Sequence, residues 1–216
     1  MKNTLRFVCL ATIRRCLLYG GLLVFIQPAF AQSHIVELFV SVKCGPQEVA
    51  ERIVRDLNQK NSTNGVLALI CDLYNESCDE RHSYYINKDV LYQSSTPSSV
   101  VNGRYDVLAD NERVMHSALA MVRSTMSLHS IDLRVEEDML IATLPDMGDD
   151  ALYTLWVAVY NPETAHVSSF IKLDSVRGNA PVCLQIPNVV EEGQAYAIFL
   201  HQAGTGELVA SGSSLL

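Results

Sequence analysis

The stretch Ile35-Val36-Glu37-Leu38-Phe39-Val40-Ser41-Val42-Lys43-Cys44-Gly45-Pro46 decides how this chain is read. Its first six residues are β-branched, aromatic or aliphatic except for Glu37, and they run into a turn, which is the pattern of a buried strand. Pro46 suits the first turn of a helix, where N–H groups lack partners anyway. Val49, Ile53, Val54 and Leu57 then recur at helical spacing, while Glu51, Arg52, Arg55 and Asp56 face outward. The helix is expected to end over residues 61–65. Residues 66–71, Val-Leu-Ala-Leu-Ile-Cys, are almost wholly apolar, as expected of a strand covered on both faces of a parallel sheet. Strand, helix and strand make a β-α-β unit.

Downstream, residues 74–93 are polar, with a short helix over 78–86. Ser98-Ser99-Val100-Val101 and Arg104-Tyr105-Asp106-Val107 flank Asn102-Gly103, a pair that favours positive φ and predicts a two-residue hairpin loop. A helix follows over 111–127, with Asp110 as its cap and Val114, Ala118, Met121, Val122 and Met126 as its buried stripe. After Ser130 come seven short segments, at 131–135, 139–144, 152–160, 167–173, 182–186, 195–201 and 207–210. Turn residues such as Pro145, Gly148, Asn161-Pro162, Gly193 and Gly204 punctuate them. This texture predicts a small β-sandwich. The fold class is therefore α/β plus β, with an α/β domain over 32–128 and a β-sandwich-like domain over 129–216.

Composition agrees with a packed core: 49% of the 216 residues are hydrophobic and 19% charged. The net charge of −8 and the lack of a basic run interleaved with aromatics argue against nucleic acid as a partner. Lys2, Arg6, Arg14 and Arg15 precede an apolar run over 16–26 and then Ala29-Phe30-Ala31, the order of a secretory signal peptide over 1–31. That run is shorter than the roughly 20 residues of a membrane-spanning helix. Cleavage near Ala31 predicts an exported, periplasmic or secreted protein without a stable membrane span. It also removes Cys9 and Cys16, leaving Cys44, Cys71, Cys78 and Cys183 for an oxidising compartment, where one or two structural disulfides are the plain expectation.

A β-α-β unit followed by a hairpin and a helix is the order of a thioredoxin-like domain, and two local features fit it. Cys44 lies between strand and helix, where helix-terminal amides and Lys43 favour thiolate. Thr96-Pro97 immediately precedes the hairpin, and in this architecture that proline is expected to be cis, with adjacent backbone free to pair with an extended peptide. Residues 36–44, V-E-L-F-V-S-V-K-C, resemble the opening V-E-L-F-T-S-x-G-C-S-S-C of a family of secreted, thioredoxin-like bacterial proteins of unknown function. Residues 96–104, T-P-S-S-V-V-N-G-R, are similar to that family's T-P-Q-M-V-V-N-G-R. The resemblance spans nearly the whole mature chain and implies an exported thioredoxin fold with no established substrate. Two departures stand out. The second motif cysteine falls on Gln47, and the family's H-V-D-Y-W-D is replaced by Asp72-Leu73-Tyr74-Asn75-Glu76-Ser77.

A dithiol oxidoreductase needs an internal thiol to release its mixed disulfide. Cys71, at the carboxyl end of a strand parallel to the first, and Cys78, in the following loop, are the candidates to resolve Cys44, or to form a static disulfide with it or with each other. The candidate site is thus Cys44 as nucleophile, Pro97 as peptide-orienting residue, and Cys71 or Cys78 as resolving thiol, with protein thiols or disulfides as partners. Cys183, between Val182 and Leu184, reads as a buried thiol or a structural bridge. The spacing of Cys71, Cys78 and His82 matches no closed metal site. His34, His116, His129, His166 and His201 are scattered and read as surface or satisfied histidines. Asn61-Ser62-Thr63 and Asn75-Glu76-Ser77 fit the glycosylation pattern, to which the bacterial resemblance gives no weight. Neither a nucleophile elbow nor a phosphate loop is visible, and no cofactor is expected. Two readings result: thiol-disulfide exchange through Cys44, or a non-catalytic binding or envelope-associated protein on the same scaffold.

Overall fold

The computed structural model describes residues 33–41, 45–61, 65–92, 96–136, 139–173, 175–178, 182–187 and 192–214. The signal segment and Cys44 lie outside the described residues. Strand β1 (His34–Val40) pairs in parallel with β2 (Val66–Asp72), and α1 (Gly45–Asn61) connects them. After α2 (Glu76–Ile86), β3 (Ser98–Val101) returns antiparallel to β1 and β4 (Tyr105–Leu108) to β3, giving a four-stranded sheet of order β2-β1-β3-β4. Helix α3 (Glu112–Thr125) closes this part.

β1 and β2 are apolar throughout because both faces of the sheet are covered. Val36, Leu38, Val40, Ala68 and Ile70 pack with Ile53, Val54 and Leu57 of α1 and with Met115, Leu119 and Val122 of α3. Ile35, Phe39, Leu69 and Cys71 on the opposite face pack with Tyr84 and Tyr85 of α2 and with residues of the second half of the chain. The second half adds β5 (His129–Ser130), β6 (Asp132–Glu136), β7 (Met139–Leu144), β8 (Leu152–Tyr160), β9 (Val167–Lys172), β10 (Val176–Arg177), β11 (Val182–Pro187), β12 (Ala195–Gln202) and β13 (Leu208–Ser214). They form a six-stranded sheet of order β10-β8-β12-β13-β5, with β9 beside β8, and a three-stranded sheet of order β11-β7-β6.

The six-stranded sheet is buried on both sides. Leu155, Val157, Tyr196, Ile198 and Leu200 face Leu133, Leu140, Ala142 and Leu184 of the small sheet. Trp156, Ala158, Ala197 and Phe199 face α2 and the first sheet. Mixed α/β followed by β is therefore the architecture, and its two parts share a core. Among the described residues no helix is long and apolar enough to cross a membrane.

Four local expectations are corrected. Val101 pairs with Tyr105, so the hairpin connection is Asn102, Gly103 and Arg104, one residue longer than expected. Asn111, not Asp110, caps α3 through its side chain, and the buried stripe is Met115, Ala118, Leu119 and Val122, while Val114 and Met121 are exposed. Cys183 is a free, exposed thiol, because strand alternation on β11 turns Leu184 and Ile186 inward and Cys183 and Gln185 outward. His201 is fully buried.

The hairpin tip joins the two halves. Asn102, at φ 52°, is buried; its Oδ1 accepts from the N–H of Ile35 at 2.8 Å, and its carbonyl accepts from the N–H of Leu208 at 3.0 Å. Gly103, at φ 64°, sits so close to the β12–β13 turn that a Cβ there would lie 2.4 Å from the Gly206 oxygen and 2.9 Å from His201 Nδ1. Gly103→Ala combines a disfavoured backbone conformation with a collision against backbone, and is expected to cost about 2–4 kcal/mol. The urea midpoint of the variant checks this.

Candidate functional site

Of the four residues expected to form a site, the structure describes three. Cys71 at the end of β2 and Cys78 in the first turns of α2 are bonded to each other, with Cα atoms 5.5 Å apart, and both are 0% exposed. One of the pairings left open by the sequence is thus the one observed, and neither sulfur is a free resolving thiol. The Thr96-Pro97 bond is cis. The Ser41 and Thr96 hydroxyls hydrogen-bond each other, bringing the end of β1, three residues before Cys44, beside the start of β3. Gln47, at the place of the missing cysteine, is buried and donates from Nε2 to Glu51 Oε1 at 2.9 Å. Asn75 is taken up in structure: its side-chain oxygen caps α2 through the Ser77 N–H, and its amide donates to the Ser168 carbonyl at 2.7 Å.

The most elaborate polar arrangement involves residues the sequence did not mark. Glu37, in the middle of β1, faces α2, and Arg81 binds it through both carboxylate oxygens, Nε to Oε1 at 2.8 Å and Nη2 to Oε2 at 3.0 Å. Glu37 is 1% exposed and Arg81 0%. The Tyr85 hydroxyl, one helical turn from Arg81, accepts from Arg81 Nη2 at 2.6 Å and donates to Glu37 Oε2. His201 Nε2, from β12, lies 2.8 Å from Arg81 Nη2, and its Nδ1 lies 2.7 Å from the Gly206 carbonyl. Arg81 carries no acceptor, so Nε2 accepts and Nδ1–H donates, which fixes His201 as a neutral tautomer.

Aromatic rings close over the guanidinium. Its carbon lies 4.6 Å from the Tyr85 ring centroid, 4.9 Å from Trp156, and 5.4 Å from both Tyr84 and Phe170. Burial pulls Arg81 down, but Glu37 beside it outweighs burial and holds the guanidinium above its ordinary range. Burial, reinforced by Glu37, raises Tyr85 well above 10.0 and keeps its hydroxyl protonated. Burial, with Arg81 adding to it, pushes His201 well below 6.5. Desolvation also lowers His82, whose Nε2 has no hydrogen-bond partner among the described residues, and His34. None of these groups meets solvent or a substrate cleft in a way that suits proton transfer, and the network serves to lock α2 between two sheets.

No protein-family model matches the chain, and no curated protein matches it in sequence. Among solved structures, a crystal structure of a protein from Agrobacterium tumefaciens is similar over 86% of this chain and 95% of its own length, with a TM-score of 0.71 and 19% identity. That likeness shows a shared fold. An endonuclease/exonuclease/phosphatase from Beutenbergia cavernae aligns over 40% of this chain and 23% of its own, at 14% identity and a TM-score of 0.26. A β-glucuronidase from Ruminococcus gnavus aligns over 40% and 14%, at 12% identity and a TM-score of 0.20. Overlaps this partial carry no argument.

Two expectations follow from the network. Arg81→Met alone strands a buried carboxylate and is expected to cost about 3–5 kcal/mol, whereas Glu37→Leu with Arg81→Met is expected to cost less than the sum of the single changes. A double-mutant cycle in urea measures the difference. The second concerns pH. His201 has a lower pKa folded than unfolded, so below 6.5 the unfolded chain takes up a proton that the folded chain refuses. Stability is therefore expected to be fully present above 6.5 and to fall as pH drops below it, by about 1.4 kcal/mol per pH unit for this group, with His82 and His34 adding in the same direction. Urea titrations at several pH values check this, and His201→Gln is expected to lower the slope by about one proton.

Proposed function

We propose that the chain is an exported protein built on a thioredoxin-like scaffold, and that it works by binding another protein rather than by dithiol exchange. The scaffold reading rests on the two sequence motifs, on the order of the four-stranded sheet, and on the meeting of Ser41 with Thr96. The observation that carries the binding reading is the Cys71–Cys78 disulfide. Both candidates for resolving Cys44 are consumed in a bond without solvent exposure, and buried Gln47 replaces the motif's own second thiol. An attack by Cys44 on a substrate disulfide would form a mixed disulfide and expel one substrate thiolate. The chain would then hold no thiol among its expected partners to displace the other. The fitting occupant is an extended protein segment alongside Thr96-Pro97, where the backbone before β3 has unpaired groups to offer. Tyr74, just beyond β2, and Tyr92, in the segment leading to Thr96, are each 82% exposed and add apolar contact area.

Thiol exchange through Cys44 alone is the second reading, favoured by the place of Cys44 three residues beyond the Ser41–Thr96 contact. It requires a low-molecular-weight thiol to resolve the mixed disulfide, taking the oxidising equivalent away with it. Thiol mapping of the mature protein separates the two. On the binding reading, native reductant leaves Cys71–Cys78 closed, denaturant opens it, and Cys44 alkylates no faster than an ordinary thiol near neutral pH. Rapid alkylation lost in Cys44→Ser, or mixed disulfides of Cys44 with exported proteins, overturns the binding reading and establishes the redox one.

A further inference from the structure

Helix α2 has a second polar face. Where Arg81 and Tyr85 turn inward, Tyr84 turns toward β8 and β9, and between these elements lies a cavity of about 360 Å³. This is within the range of small-ligand sites, about 300–1,000 Å³. A larger hollow, of about 810 Å³, is lined only by residues 110–120 at the start of α3 and is not enclosed by a second element. The smaller cavity has walls from three elements and a distinct chemistry.

We propose that the cavity between α2, β8 and β9 binds a small organic carboxylate, whose carboxylate is held by Lys88 and Lys172 and whose apolar body lies against Trp156 and Tyr84. Two lysines against the single carboxylate of Glu80 make a positive pocket on a chain of net charge −8. Lys172 is exposed, and its ammonium stands 5.5 Å from the Trp156 ring centroid and 6.0 Å from that of Tyr84. The cation is thus poised over the aromatic wall. Lys88 is held from the other side, because its Nζ donates to the Ala203 carbonyl, and an ammonium has further N–H donors to offer. Ser83 and Thr154 add hydroxyls to the lining.

The wall also contains an unspent donor. Trp156 is 0% exposed, yet its indole N–H has no hydrogen-bond partner among the described residues. A buried donor left unpaired costs free energy, and an oxygen of a bound molecule relieves it. Aromatic rings on one side and lysines on the other suit a ligand with an apolar body and one charged end. Glu80 in the lining disfavours a dianion, which sets the carboxylate above phosphate. The site lies apart from Cys44 in sequence and in chemistry, and its proposal holds on either thiol reading.

Trp156 is the chain's single tryptophan, so its emission reports on this cavity alone. Benzoate is the test ligand for the mature protein, with benzamide and inorganic phosphate as comparators. Benzoate is expected to change the emission saturably and to give one site by calorimetry, with benzamide at least about tenfold weaker and phosphate weaker still. Lys172→Met is expected to weaken benzoate about tenfold or more, and Lys172→Arg to recover most of the loss. Lys172 is exposed, so both variants retain the fold, and Cys44→Ser is expected to bind as the parent does. The proposal is overturned by an absence of saturable binding of benzoate, by equal binding of benzoate and benzamide, by phosphate binding more tightly, or by Lys172→Met leaving the affinity unchanged.

Discussion

A carboxylate and a guanidinium, Glu37 and Arg81, are paired where almost no water reaches, and the placement of three elements depends on that pairing. Either charge alone in this interior costs several kcal/mol, so the pair forms in one geometry or the region does not pack. Glu37 fixes the face of β1 that meets α2. A slip of β1 by one residue would send the carboxylate into the purely apolar cluster under α1 and α3. Arg81 and Tyr85, one turn apart, fix the rotation of α2 about its axis, and His201 fixes where β12 lies against that helix. The apolar layers supply most of the burial, while the charges select the arrangement in which that burial happens.

The hairpin tip makes the same junction from the other side. Asn102 uses its side chain on β1 and its carbonyl on β13, while Gly103 allows the β12–β13 turn to approach within backbone contact. Arg104, beside them, reaches Glu207 at 2.9 Å near the surface, where the ion pair adds little stability. The residues that sequence patterns assign to a local turn therefore also attach one half of the molecule to the other. This gives a physical reason for Asn-Gly at this position beyond hairpin geometry.

Much of the architecture was legible because period and composition report burial. The apolar runs at β1 and β2 predicted a sheet covered on both faces, and alternation predicted β7 and β8 with the bounds they have. The two-residue strands β5 and β10 are too short to carry a pattern, and the α3 stripe lay one position away because Asn111 rather than Asp110 caps the helix. The polar network was illegible for a different reason. Glu37 and Arg81 are 44 positions apart and His201 a further 120. Arg81 stands among Asp79, Glu80 and His82, where a charged residue reads as solvated. The usable signal was Glu37 itself, a carboxylate inside an otherwise apolar strand, which calls for a buried cation somewhere in the chain. Cys183 was misread because apolar neighbours in a strand mark the opposite face, not the same one.

The six-stranded sheet has no face of its own to spare. Trp156, Ala158 and Phe199 belong to the core shared with α2, and Leu155, Val157 and Ile198 to the core shared with the small sheet. A fragment ending near Leu128 would present Ile35, Phe39, Leu69 and Tyr85 to water, and the complementary fragment would present a tryptophan and two phenylalanines. Neither half is a module that recombination can pass on by itself. Evolutionary change in this lineage has had to act on a single cooperative unit, in which a substitution on one side of the shared sheet is felt on the other.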